Sequence, residues 1–236
     1  MNNIAEKIRK SLKSARKKCS QKELDFVGRY LGTKRKLLNI YSAQRDKVIR
    51  EYLGQMKVLS PEQQVGVLDD LFSSDTFEDF NFAGKMLTKL PEVRRSLDFG
   101  HLKKWLRTTN GWAECDCICQ SLFSEKEVLF RWKEWEKTIN KFAKDKNIQI
   151  RRASLVLQCK SVRGSGDPKL RKLAYETIEK LKGEKDVLIT KAISWILRSL
   201  AVKNGKETLE YLKDNQDSLP KIAYRETTRK ITTGKK

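Results

Sequence analysis

The sequence predicts an all-α chain, a HEAT-like α-solenoid of paired antiparallel helices presenting a concave basic face. Apolar residues recur at three- and four-residue intervals in segment after segment, and no strand pattern competes over a comparable length. Only 4 prolines and 12 glycines interrupt 236 residues, too few for a fold of many short strands and tight turns. The loops left between the periodic segments are short, which favours antiparallel neighbours. A compact irregular bundle is the alternative, since no strict repeat is visible in the residues themselves.

The first element is an amphipathic basic helix within residues 1–22, where Ile4, Ile8 and Leu12 fall four apart among lysines and arginines. It is set off as an arm from a single domain over 23–236. It reads equally as a solvated terminal helix or a DNA-contacting one. Helices are then expected over 42–56, 61–72, 76–90, 98–108, 112–123, 125–144, 148–160, 168–182, 186–203, 206–215 and 219–232. Ser60-Pro61 with Glu62 opens one of them and Asp167-Pro168 another, while Gly183 and Gly205 stand where helices should end. Between them, Arg163-Gly164-Ser165-Gly166-Asp167-Pro168 reads as a linker at a repeat junction.

Charge points to the partner. The chain has 51 Lys and Arg against 30 Asp and Glu, a formal net charge of +21, which fits a polyanion. The excess is uneven: residues 1–60 carry 16 basic and 5 acidic side chains, net +11, whereas residues 61–100 come to net −4. No stretch approaches the roughly 18 uninterrupted apolar residues of a spanning helix, and no apolar secretory segment opens the chain. A cytoplasmic protein, nucleoid-associated through DNA binding and making no use of a membrane, is expected.

Five cysteines, Cys19, Cys115, Cys117, Cys119 and Cys159, are an odd number and do not make a disulfide framework. On a helix Cys115 and Cys119 share a face while Cys117 points nearly opposite, so the three do not converge on one metal. A single histidine, His101, leaves little room for imidazole chemistry. No metal is expected.

The helical pattern is broken in three places. With Trp112 at 0°, Cys119 falls near 340°, Phe123 near 20° and Asp116 near 40°, so a carboxylate sits beside an aromatic on the apolar side, one turn away. The plainer reading is an aspartate at the margin of the stripe, reaching water. In 148–155, Arg152 falls between Ile148, Leu155 and Cys159 on one side and Val156 on the other, with Arg151 at the edge. A guanidinium there needs a carboxylate or phosphate, either within the chain or on a ligand. In 186–198, Trp195 borders the stripe of Leu188, Ile189, Ala192, Ile193 and Ile196, flanked by Lys191 and Arg198. Packing with snorkelling cations is the ordinary arrangement for such a tryptophan. Trp105, Trp132 and Trp135 are assigned to packing.

Together these segments resemble the DNA alkylation repair family typified by alkylpurine DNA glycosylase D. The likeness covers most of the chain after about residue 25. It is carried by Trp112-x-x-x-Asp116, Arg152-Ala153, Lys191-Ala192-Ile193-x-Trp195-x-Leu197-Arg198 and Arg225-Glu226. It implies that Trp112, Asp116, Arg152 and Trp195 surround the deoxyribose of a damaged nucleotide, and that Lys160 and Arg198 contact the backbone. Arg45 matches the arginine of a Pro-x-x-Arg motif whose proline is absent here, and Lys191 joins the nucleic-acid-binding set. It also implies a monomer that needs no cofactor and acts on duplex DNA containing alkylated purines, leaving the base stacked.

The implied activity is base excision repair: hydrolysis of the N-glycosidic bond of cationic N3- or N7-alkylpurines, without lyase chemistry. A cationic base departs without a general acid, and Asp116 would stabilise the positive sugar left behind. The faces of Trp112 and Trp195 would favour that charge, and Arg152 would hold the flanking phosphate. Two rival readings stand beside it, a non-catalytic HEAT-like binder of branched or distorted DNA and a helical scaffold for an acidic protein.

Overall fold

A computed structural model describes residues 2–235, with Met1 and Lys236, the outer ends of the two expected segments, outside it. Sixteen helices account for the secondary structure of the described residues, and one isolated parallel bridge, Lys36 with Thr76, is the sole β feature among them. The all-α expectation holds. The chain divides into two compact units, 1–122 and 123–236.

The first unit holds α1 (Asn2–Ser14), α2 (Gln21–Leu31), α3 (Ser42–Lys57), α4 (Pro61–Phe72), α5 (Phe77–Leu87), α6 (Pro91–Ser96), α7 (Phe99–Arg107) and α8 (Trp112–Ser121). Local chemistry sets several starts. Ser20 with Glu23 and Ser60 with Gln63 form reciprocal capping boxes, the latter with Pro61 in the first turn, and the Asp98 carboxylate accepts the His101 N–H. Helix α1 buries Ala5, Ile8 and Leu12 and packs on α3, α4 and α5. Its hydrophobic face thus belongs to the core of this unit, with Lys7, Lys10 and Lys13 left outside. That core centres on Leu68, Phe72, Phe80, Met86, Leu102 and Trp105, with the Phe72 ring 4.9 Å from Phe80 and 4.8 Å from Trp105. The lone histidine sits at its edge, where His101 Nε2 (2.8 Å) and Trp105 Nε1 (2.5 Å) meet Asp69 Oδ1.

The second unit holds α9 (Glu125–Phe130), α10 (Trp132–Phe142), α11 (Ile148–Val156), α12 (Cys159–Gly164), α13 (Pro168–Leu181), α14 (Val187–Leu200), α15 (Gly205–Asp214) and α16 (Lys221–Thr233). Asn147, Asp167 and Asp186 cap α11, α13 and α14 with their side chains. Helix α14 is the centre of this unit, packed against α11, α12 and α16 and burying Ile189, Ile193, Ile196, Leu197 and Leu200. Trp135 is buried here and meets Phe123 edge-on at 5.3 Å, while Trp132 is half-buried.

Three boundaries differ markedly from the sequence pattern, and two helices fall outside it. The segment 125–144 is two helices, because Arg131 leaves helical geometry at φ −107, ψ 33. The segment 148–160 breaks after Val156, and α12 then runs through Arg163 and Gly164, residues expected in a linker. Gly205 opens α15 instead of closing α14, which ends at Leu200. Helices α2 and α6 were not anticipated: α2 buries no residue, and α6 is a single six-residue piece.

Candidate functional site

Helix α8 carries the candidate residues of the first unit, Trp112 and Asp116. It starts at Trp112, directly after Gly111, and its buried face carries Glu114, Cys115, Ile118 and Cys119. Trp112 and Asp116, one turn apart, lie together at the margin of that face, both half-buried. The apolar face is therefore rotated from the one the Trp112-centred wheel suggests, and the fully buried carboxylate of this helix is Glu114, not Asp116. Sequence reasoning missed Glu114 because its partners are distant in the chain: Thr33 Oγ1 donates to its Oε1, and Arg35 Nε lies 3.2 Å from its Oε2.

The opposite side of α8 rests on α5. Cys117 packs there, with Sγ 4.0 Å from the carbonyl oxygen of Phe80 and 3.9 Å from that of Asn81, while the Cys115 and Cys119 sulfurs lie 3.9 Å apart. The three thiols thus split between two faces, as helix geometry requires. Burial pushes the Cys117 thiol up to about 12; the charges of Lys85 and Arg45 oppose that rise, and those of Glu114 and Asp116 add to it. Cys117 is accordingly a packed thiol whose surroundings favour the protonated form. The same interactions bring Arg45, on α3, within electrostatic reach of α8.

Trp112 is oriented by α2. Its Nε1 donates to the carbonyl of Tyr30 at 2.7 Å, and the two rings meet edge-on, 5.7 Å between centroids at 87°. One face of the indole thereby gains a fixed frame while the ring keeps access to solvent.

In the second unit, Arg152 is buried on α11 and its Nη1 donates to the carbonyl of Leu188, in the first turn of α14, at 2.5 Å. Arg151, at the edge as expected, pairs with Glu184 through Nε (2.7 Å) and Nη2 (3.0 Å) and also donates to the carbonyls of Asp145 and Lys146. The two arginines take the places the helical wheel assigns them. Trp195 is half-buried on α14 and Lys191 is exposed one turn before it. Arg198 is engaged: Nε donates to the Ser194 carbonyl at 3.1 Å and Nη2 lies 3.4 Å from Glu226 Oε2, which also accepts from Ser194 Oγ at 2.6 Å. Arg198 thus ties α14 to α16 as well as marking the end of the Trp195 face. Lys160 is exposed, on α12 and not on the helix of Arg152.

No helix among the described residues is long and apolar enough to cross a membrane. The model of a family described as DNA alkylation repair enzyme matches residues 8–231. Among solved structures, the chain is similar to a predicted DNA alkylation repair enzyme from Enterococcus faecalis, with a TM-score of 0.77 and 16% identity, over 93% of this chain and 99% of that one. At that identity the likeness is one of fold. No curated protein is significantly similar in sequence.

Proposed function

The chain belongs to the DNA alkylation repair enzyme family, and we propose that within it this protein is a DNA glycosylase that hydrolyses the N-glycosidic bond of cationic N3- or N7-alkylated purines in duplex DNA. The observation that carries this reading is the pairing of Trp112 and Asp116 on one turn of α8, half-buried, in a chain of net charge +21. Family membership supports action on alkylated DNA, and the pairing supplies the chemistry.

An N3- or N7-alkylpurine already carries positive charge, so the base leaves with the glycosidic electron pair and needs no proton from the enzyme. Positive charge then develops on the sugar. A carboxylate at Asp116 stabilises that charge and orients the attacking water, an electrostatic role one acid can fill. The indole face of Trp112 packs on the sugar, and its quadrupole favours the cation. In the second unit, Trp195 offers a comparable face and Lys191 an exposed cation for phosphate. Arg152 is buried and holds α11 to α14 through the Leu188 carbonyl. Water is the only co-reactant, and the products are the neutral free base, an abasic site and the proton lost by the attacking water, which passes to solvent.

The test is to incubate the protein with duplex DNA carrying N7-methylguanine and N3-methyladenine and to assay the bases released. Release above the spontaneous rate by the parent, lost in Asp116→Asn, supports the reading. A parent that binds duplex but releases nothing would make the non-catalytic DNA binder the better account.

A further inference from the structure

Helix α2 poses a mechanical problem. It runs from Gln21 to Leu31, buries no residue, and leaves Phe26, Val27 and Tyr30 exposed at 64%, 40% and 67%. Its packed face is thin, with Leu24, Gly28 and Leu31 only half-buried, and gives it little hold by packing alone. Its fixed point is the C-terminal end. Gly32 closes it in the left-handed region at φ 68 and lies against Gly111, where a Cβ would overlap the Gly32 carbonyl. The chain then passes through Thr33 and Arg35 to Lys36, whose N–H and carbonyl bond to Asp75 O (2.7 Å) and Phe77 N (2.9 Å).

Glu114 is at the centre of that attachment. It is completely buried on α8, between Trp112 and Asp116 in sequence. Its Oε1 accepts the Thr33 hydroxyl; its Oε2 accepts the N–H of Asn110 at 2.9 Å and lies 3.2 Å from Arg35 Nε. Arg35 also donates to the carbonyls of Ser74 and Thr108, the latter at 2.9 Å, and stacks 4.5 Å over the Phe80 ring. Thr33 Oγ1 accepts the Arg35 N–H at 3.1 Å. A carboxylate removed from water is tolerated only when it is paired and hydrogen-bonded, and here Arg35 supplies the counter-charge and Thr33 and Asn110 the hydrogen bonds. Every partner belongs either to the turn that starts α8 or to the segment that ends α2.

We propose that Glu114 is a positioning residue, a buried anionic clamp that fastens the end of α2 to the start of α8 and thereby fixes the indole of Trp112, whose Nε1 bonds to Tyr30 of α2. This inference rests on the proposed role of Trp112 and Asp116, and it adds a residue that does not itself touch DNA. A negative charge is required at 114. Glutamine keeps the acceptor for Thr33 or Asn110 but abandons Arg35, and alanine leaves a buried guanidinium edge without its counter-charge.

The experiment compares the parent with Glu114→Gln, Glu114→Ala and Thr33→Val by amide hydrogen exchange, single-turnover release of N7-methylguanine and affinity for undamaged duplex. In Glu114→Ala the amides of Asn110 and of 28–36 are expected to exchange about tenfold faster or more, with α4 and α5 unchanged. Base release should fall about ten- to a hundredfold, the scale of misplacing a reacting group by an ångström, while duplex affinity stays within about twofold. Glu114→Gln should fall between. Thr33→Val, which keeps the Arg35 pair, should loosen 28–36 more mildly, and it carries the test if Glu114→Ala does not fold. Unchanged exchange over 28–36, exchange raised evenly through residues 2–122, or loosening with undiminished release would each overturn the inference. A parent that releases no base would count against the glycosylase reading alone, because exchange at Asn110 and 28–36 still decides whether Glu114 is the clamp.

Discussion

Helix α5 crosses α8 at Gly84, where a Cβ would overlap the sulfur of Cys117 and come within 3.1 Å of its carbonyl oxygen. The absence of a side chain at 84 sets how closely the two helices approach, and so how α8 presents Trp112 and Asp116. Gly84→Ala should therefore destabilise the first unit by about 1–3 kcal/mol, the range for overpacking, although alanine is the better helix former at an unconstrained site. Chemical denaturation reads this directly. Stability equal to the parent would mean that the crossing yields easily.

Asp116→Asn separates charge from shape. Asparagine fills the same volume without the charge, so single-turnover release of alkylated base should drop about a hundredfold or more. Removing a negative charge cannot weaken attraction to phosphate, so affinity for undamaged duplex should hold or rise slightly. Equal release by variant and parent would remove Asp116 from the transition state.

Lys191 is the exposed cation beside Trp195. If it neutralises one phosphate, Lys191→Ala should reduce the slope of log affinity against log salt by about 0.9 and weaken all duplex sequences alike. Arg198 makes a contrasting case, since it is shared with Ser194 and Glu226. Arg198→Ala should lower thermal stability as well as affinity. A slope unaffected by Lys191→Ala would place that side chain off the DNA.

Glu78 gives a pH signature. Burial raises its pKa above the ordinary glutamate value, against the opposing bond from the Leu38 N–H at 2.9 Å. The folded state then holds the proton more tightly than the unfolded one, so this group's contribution to stability is complete at low pH and is lost as pH rises through the raised value. The stability of the parent relative to Glu78→Gln should decline as pH rises from the ordinary glutamate range, about pH 4, through the raised value. Parallel pH profiles would show that Glu78 ionises in the fold as it does in the open chain.

The helices themselves were legible because their causes are local. Ile8 and Leu12 on α1, with Ile4 half-buried in line with them, and the stripe through Ile189, Ile193 and Ile196 on α14 declare their buried faces by spacing alone, and Ser60-Pro61 and Asp167-Pro168 supply their own caps. The choice of Arg152 over Arg151 as the arginine inside the apolar stripe follows from the same geometry, and the observed burial of Arg152 agrees. The break at Arg131 was not legible, since Trp132, Trp135 and Val128 continue one apolar pattern across it.

Composition and periodicity suffice for an all-helical chain with a strong positive charge and tryptophans set beside a carboxylate and cations at fixed helical intervals. Those properties depend on residues three or four apart, or on composition, and need no knowledge of neighbours. The fold decided that the buried acid of α8 is Glu114 and not Asp116, because Thr33, 81 positions away, and Arg35 compensate the cost of burying it. It likewise decided that Arg198 is drawn toward Glu226, 28 residues on, and that α2 stands without a core of its own, held by its end. A charge on a helical wheel carries no record of what will face it. Its burial is settled by desolvation against pairing, and the partners in that balance are assembled by the fold.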